Sequence, residues 1–475
     1  MYKKIKKIYQ IIILNKILFY FFKKKIKTNL HDTNFQNIIF ENTNDLKKIF
    51  LSKNTSRENL KNDSDYHYHS FNFINYGKIM GGEKNINLCK KFIFQWNKKK
   101  YSLFTNIWSK KIKKKRFINL IYNYDFYAIS ASKVEKKIIN EIIVRHYFFV
   151  AQNISGNNDL SAEDIKAYIL GVFIFGNKDK YSSDFLLRVI NEQIDINGFH
   201  KSYNPLEQAL FINNLYEIKN ILLFFTTEIP QKINFHILNM TSTLITLFHK
   251  DNSIALFNGS NNSKNDKISK IIKISKDIKP KQIHNIENGI AIYTSKNTKI
   301  FLEATRPNNE KIYQDTHAGT LSLEFSFLDE KIITNCGSLD TQMGLKSQYL
   351  KYSAAHSTII LNNTNITNLN DSGLRRRSPK NTNCEMKENE DYVLWTSSHD
   401  GYVENFNKII KREIKIYKKI NKITGKDLIL NTRVKSRSDI YTIRFHLMPH
   451  TNCIISNNKK TVFIKTKKNQ SWVFK

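Results

Sequence analysis

The chain has 475 residues, enough for two or three domains with cores of their own, and its 41% apolar content excludes a disordered protein. Its formal net charge of +35 ordinarily points to a polyanionic partner. Only 12 of the 76 basic residues are Arg, however, and the lysines run along the whole length beside abundant Asn, Ile, Phe and Tyr, which is the pattern of a codon bias.

The first 30 residues, MYKKIKKIYQIIILNKILFYFFKKKIKTNL, form a basic and apolar N-terminal segment. Asn15-Lys16 interrupts the apolar run, no small-residue cleavage site follows, and Ile11 to Phe22 is too short to span a bilayer. A basic amphipathic helix is expected there, with an uncleaved export signal as the alternative. Residues 31–130 are rich in Lys and Asn and carry no clear period. From Val134 the apolar residues Ile138, Ile139, Ile142, Ile143, Phe149 and Val150 recur at helical spacing. Ser161 and Asp164 look like a capping box opening a second helix, and 183–195 is helical again. After the loop INGFHKSYNP, Asn204 is placed to cap a helix whose first residue is Pro205. Helices over 206–225 and 231–249 complete a series joined by short loops, as in a helical array, bundle or toroid.

The character changes between 253 and 285. Short strands are expected beyond that point, at 289–294, 299–303, 320–327, 331–335, 357–361, 392–397, 408–417, 426–434, 440–447, 452–456 and 461–465. Such spacing predicts a β-sandwich or stacked antiparallel sheets. In 320–327 Leu321, Leu323, Phe325 and Phe327 alternate with Thr320, Ser322, Glu324 and Ser326, the period of a half-buried strand. Three regions follow: 1–30, a helical domain over 31–285 and a β domain over 286–475. The chain ends soon after the strand-like SWVFK, where the sandwich is expected to need more strands. Four cysteines, Cys89, Cys336, Cys384 and Cys453, form no C-x-x-C pair, which excludes a zinc ribbon or redox motif.

The blocks THAGTLSLEFSFLDEKIITNCGS and YSAAHSTIILNNTN closely resemble the β domain of the heparinase II/III-like polysaccharide lyases. DSGLRRR and SSHDGY extend the similarity, as do DINGFHKSYNP and ALFNGS on the helical side. The resemblance implies an incomplete α/α toroid followed by an antiparallel β-sandwich. It also implies β-elimination on a uronate-containing, often sulfated, glycan. Such an enzyme neutralises the uronate carboxylate, removes the neighbouring proton with a Tyr or His base, and protonates the leaving oxygen.

Carried over residue by residue, the resemblance makes His317 a substrate-side or metal-binding histidine and His356 and Asn335 further metal ligands around one zinc ion. Asp315 stands where the family has its first histidine. Two imidazoles and an amide make a poor zinc set. His317 and His356 holding loop backbone is therefore the plainer alternative, and a direct proton-transfer role for His317 a third. Asn157 is the candidate carboxylate neutraliser, with a plain polar loop before a helix cap as the alternative. Glu207 and Gln208 stand where the family has its catalytic Tyr-His pair, which leaves Tyr203 and His200 as candidate replacements. Arg375, Arg376 and Arg377 are candidate anion contacts, with a solvated charge run as the alternative. The expected partner is an acidic polysaccharide and not nucleic acid, for which no motif is present. A cell-envelope or periplasmic location is implied by the resemblance, with a cytoplasmic one left open. The rival reading is a catalytically silent glycan-binding protein on the same fold.

Overall fold

The computed structural model describes residues 66–475 apart from positions 100, 102–104, 155–159, 176–182, 227–228, 262–267, 269–270, 274, 276, 284–288, 307–316, 340–347, 370–376 and 434–438. Asn157, Asp315, Arg375 and Arg376, like the N-terminal segment, lie outside the described residues.

Helices fill the first half: α1 (Phe73–Met80), α2 (Gly82–Lys98), α3 (Lys110–Tyr122), α4 (Tyr124–Ala128), α5 (Lys133–Ile154), α6 (Ala162–Ile174), α7 (Ser183–Asn191), α8 (Pro205–Thr226) and α9 (Gln231–Thr246). Two of the expected caps are present. Ser161 and Asp164 form a reciprocal capping box at α6. The Asn204 side chain accepts from the backbone N–H groups of Leu206 and Glu207 and opens α8 at Pro205. Helices α1 to α4 lie within the helical domain expected over 31–285, but no apolar period marks them one by one. Lysine is interleaved through α2 and α3, and its stem covers apolar surface, so Lys90 and Lys114 are buried where a polar residue reads as solvent-facing.

Strands fill the second half: β1 (Ile290–Thr294), β2 (Thr298–Glu303), β3 (Leu323–Phe327), β4 (Glu330–Thr334), β5 (Ile359–Leu361), β6 (Thr382–Glu388), β7 (Tyr392–Tyr402), β8 (Lys408–Tyr417), β9 (Ile423–Asn431), β10 (Tyr441–Ile443), β11 (His446–Leu447), β12 (Asn452–Ile455), β13 (Val462–Lys465) and β14 (Ser471–Phe474). They pair antiparallel as β1-β2-β3-β4-β11, β6-β7-β8-β9, β12-β13-β14 and the short pair β10-β5. One core joins the first two sheets: Leu302, Leu323 and Phe325 pack with Val393, Trp395 and Ile414.

Compactness divides the chain differently from secondary structure. One unit takes the residues up to Gln193 with Phe211–Ile237; the other takes Ile194–Leu210 and Leu238–Lys475. The boundary expected near 285 marks the change from helix to strand. The segment 194–210, which includes the start of α8, and the segment after 238 nevertheless belong with the strands, because Phe199, Leu247, Ala255 and Phe257 share a core with Ile290 and Phe301. Within the first unit, buried Glu217 accepts from Tyr122 Oη at 2.9 Å and Lys166 Nζ at 2.7 Å, so α3, α6 and α8 are tied by one satisfied ion pair.

Two features of β3 depart from the sequence pattern. It begins at Leu323, because Leu321 is left-handed (φ 61°) and the Ser322 N–H closes a turn on the Gly319 carbonyl. It is also not half-buried. Ser322, Glu324 and Ser326, expected towards solvent, are at most 1% exposed. Their face is covered by the segment around His249–Leu256 of the same unit.

Candidate functional site

Glu324 is the centre of that covered face. Its carboxylate meets His249 Nε2 at 2.7 Å and Lys331 Nζ at 3.5 Å, and accepts the backbone N–H groups of Asn335 at 2.9 Å and Leu256 at 3.3 Å. Burial alone would raise its pKa; Lys331 and His249 hold it down at about 2. His249 also bonds Ser326 Oγ through Nδ1. Asn335 donates through Nδ2 to Glu324 Oε1 at 3.2 Å and accepts the Ser357 N–H at 2.9 Å. From the opposite sheet Arg412 forks onto Asp427 and donates Nη1 to the carbonyls of Leu321 and Ser357. A buried polar spine therefore runs Asp427–Arg412–Ser357–Asn335–Glu324–His249. The sequence signal for it was three small or acidic residues alternating inside an apolar strand.

The spine sets the two loops that carry His317 and His356. Ser353 Oγ donates to the Ala318 carbonyl, Thr358 Oγ1 to the Thr320 carbonyl, and the Ala318 N–H to the Lys351 carbonyl. A side chain at Gly319 would place its Cβ 2.9 Å from His356 Nδ1, so glycine is what lets the loop reach the ring. The two imidazoles lie edge to face with centroids 5.3 Å apart. Both are buried, and among the described residues their four ring nitrogens make no hydrogen bond of ordinary geometry; the Leu350 carbonyl lies close enough to His356 to favour its protonated form slightly. Burial, then the Lys351 charge, lowers His317 to about 3, and burial lowers His356 well below the usual range, so both rings are neutral at pH 7.

Two neutral imidazoles within one ion's reach fit as nitrogen ligands of zinc, whose bonds are ~2.0–2.1 Å. Asn335 does not fit. Its oxygen is taken by the Ser357 N–H and its nitrogen faces Glu324, so the ligand set expected for zinc is corrected at that residue. Among the described residues no cluster of three His, Cys, Asp or Glu side chains is placed to hold a metal.

The loop 194–204 holds the other candidates. Asp195 accepts the backbone N–H groups of Asn197 and Phe199 and the Tyr203 hydroxyl at 3.0 Å, and burial raises its pKa. Tyr203 is left-handed (φ 49°), an unusual state for an aromatic residue, with its ring 5.6 Å from that of Phe199. His200 Nδ1 pairs with Ser202 Oγ at 2.8 Å, and burial lowers the ring to about 4. Gln208 is a buried clamp: it accepts the His200 N–H and donates to the carbonyls of Gly198 and Met240. Glu207 is exposed. Arg377, expected to contact an anion, instead directs its guanidinium onto the carbonyls of Asn365, Ile366 and Gly401; that expectation is corrected to a loop-bracing role. Tyr203, His200 and His317 lie in one compact unit.

The β domain is thus a set of antiparallel sheets sharing one core, with loops built on the THAGTLSLEF and AAHST blocks. Residues 283–475 match the family model described as heparinase II/III-like, C-terminal. The fold as a whole, a toroid-type helical region followed by a β-sandwich, is that of heparinase III: 12% identity, 99% of this chain and 83% of that one covered, TM-score 0.67. A mutant of heparan sulfate lyase HepC from Pedobacter heparinus is similar over 97% of this chain and 80% of its own, at 12% identity and TM-score 0.58. At such identities the likeness carries the fold alone. No curated protein sequence matches the chain.

Proposed function

We propose that this protein is a lyase that cleaves a uronate-containing acidic glycan by β-elimination, with Tyr203 as its proton-transfer residue. The observation that carries the reading is the Tyr203–Asp195 pair: a strained, half-buried tyrosine whose hydroxyl is held by a carboxylate of raised pKa. The Tyr203 oxygen takes the proton next to the uronate carboxylate as its own proton passes to Asp195. The C–H electron pair forms the new double bond, and the glycosidic oxygen leaves with its bonding pair. The proton held by Asp195 then returns through Tyr203 to that oxygen. His200 is neutral and fixed by Ser202, which suits a positioning role. His317 and His356 would hold a zinc ion, which would supply positive charge beside the loop.

The second reading, a silent glycan-binding protein, is favoured by Glu207 and Gln208 in place of the family's catalytic pair. A panel of uronate polysaccharides followed by absorbance of unsaturated products separates the two. Product formed by the native chain and lost in Tyr203→Phe supports the lyase; no product from any polymer leaves the binder.

A further inference from the structure

At the end of the sandwich away from His317, the β1–β2 turn, the β8–β9 turn and β14 enclose a cavity of about 210 Å³. Tyr293, Tyr417, Phe325 and Trp472 line it with aromatic surface. Trp472 is fixed edge-on against Phe325 and Phe327, with centroids 5.0 and 5.1 Å away. Lys296, Lys418 and Lys422 stand around it, with Asn and hydroxyl side chains between them and no Asp or Glu among the lining residues. Local composition, rather than the chain-wide lysine excess, is the point. On the neighbouring sheet surface lysine is answered by acid, as in Lys411–Glu413, and Lys418 itself reaches out to Glu388. Lys296 and Lys422 have no ion pair among the described residues, and Lys422 Nζ lies 5.3 Å from the Tyr417 ring centroid.

We infer that this cavity is an ancillary subsite for one acidic sugar residue of the glycan, distinct from the place of cleavage. Aromatic faces suit the apolar face of a pyranose, amides and hydroxyls suit its hydroxyl groups, and two unpaired ammonium groups suit a carboxylate or sulfate. Functional pockets usually run to ~300–1,000 Å³, so a cavity of this size takes a single ring and not an oligosaccharide. Strands β2 and β3 connect the two places. The cavity is at Thr298 and Phe325, and the His317 loop enters at Leu323, so two to four strand residues separate them, about 7–13 Å by strand rise. The choice of a glycan over another anion rests on the proposed function; the charge and aromatic lining do not.

Trp472 is a built-in reporter. The full chain carrying Tyr203→Phe, which leaves the cavity intact, is titrated with a uronate–hexosamine hexasaccharide, a neutral chitin hexasaccharide and inorganic sulfate, and tryptophan fluorescence is read. The acidic hexamer is expected to shift the signal, with affinity falling as salt rises. It should weaken about threefold in Lys296→Ala or Lys422→Ala and roughly tenfold in the double variant. The shift should vanish in Trp472→Phe, with unchanged circular dichroism showing that the variant folds. Equal response to the neutral hexamer, a full response to sulfate alone, or unaltered binding by the double variant overturns the subsite. Unsaturated product without any Trp472 response also overturns it while leaving the lyase reading standing. A Trp472 response without product from any polymer keeps the subsite and removes the lyase.

Discussion

His249 Nε2 and Glu324 Oε2 lie 2.7 Å apart with both side chains fully buried, joining the end of the helical series to the middle of β3. Lys331 shares the same carboxylate oxygen at 3.5 Å. Removing the acid leaves a lysine, a histidine and two backbone donors without their acceptor. Glu324→Ala is therefore expected to cost about 3–5 kcal/mol, seen as a lower urea midpoint at unchanged slope. A loss below about 1 kcal/mol would mean that solvent reaches the network.

Asn335 poses a sharper test, because the family resemblance makes it a metal ligand and an aspartate would be the better one. Its Nδ2 is 3.2 Å from Glu324, so Asn335→Asp sets a second carboxylate against the first. Like charges this close cannot both ionise without cost. The variant should lose about 3 kcal/mol at pH 7 and should not gain zinc, measured by metal analysis beside His356→Ala. A stable Asn335→Asp protein with tighter zinc binding would restore the expected ligand set.

Acid should destabilise the protein well above the carboxylate range. Burial holds His200 at about 4 and His399 at about 3, and burial with the Arg116 charge keeps His146 well below its ordinary value. In the unfolded chain each titrates near 6.5. Stability is full above that pH. Below it the unfolded state binds protons the folded state refuses, and each histidine removes about 1.4 kcal/mol per pH unit until its folded pKa is reached. Glu324 acts lower down: its contribution is present above about 4.5 and is lost as pH falls through about 2. Urea midpoints at pH 7.5 and 5.0 should differ by several kcal/mol of stability; equal midpoints would refute the neutral burial of these rings.

Tyr203→Phe should lower turnover at least ~10²-fold while leaving glycan affinity within about twofold. Asp195→Asn removes the proton acceptor but keeps an oxygen for the loop, so it should reduce turnover and shift the pH optimum. Unchanged turnover in Tyr203→Phe eliminates that residue as the base.

Asn204→Ala should cost about 1 kcal/mol through the lost cap of α8. Gln208→His should cost more, because one ring cannot replace an amide that accepts from His200 and donates to both Gly198 and Met240. Thermal melts of the two variants order them; a more stable Gln208→His would show that the clamp is slack.

Local signals carried most of the outline. Asn204–Pro205 and Ser161–Asp164 act within a few residues, and so announced their helices, and the strand expected over 408–417 is β8 at its observed bounds. Long-range pairing did not show. Nothing near Glu324 names His249, 75 residues away, as its partner, so a buried acid read as an outward one. Arg377 failed for the same reason: a triplet of arginines gives no hint that the last one turns inward onto carbonyls. Tyr203 was identifiable as a substitute base only through motif position, and its positive φ could not be read from sequence.

The double covering of β3 has a consequence for how the β unit breathes. A strand with one face in water can detach at an edge and let its amides exchange without disturbing the rest. Leu323–Phe327 has β2 and β4 on either side, an apolar core on one face and the His249–Glu324 network on the other. Its amide hydrogens can meet solvent only when both layers part together, so the slowest-exchanging protons of the unit should cluster there and report its global opening. The loops bearing His317 and His356 are fastened to that same strand, and their registration should persist up to the point at which the unit as a whole unfolds.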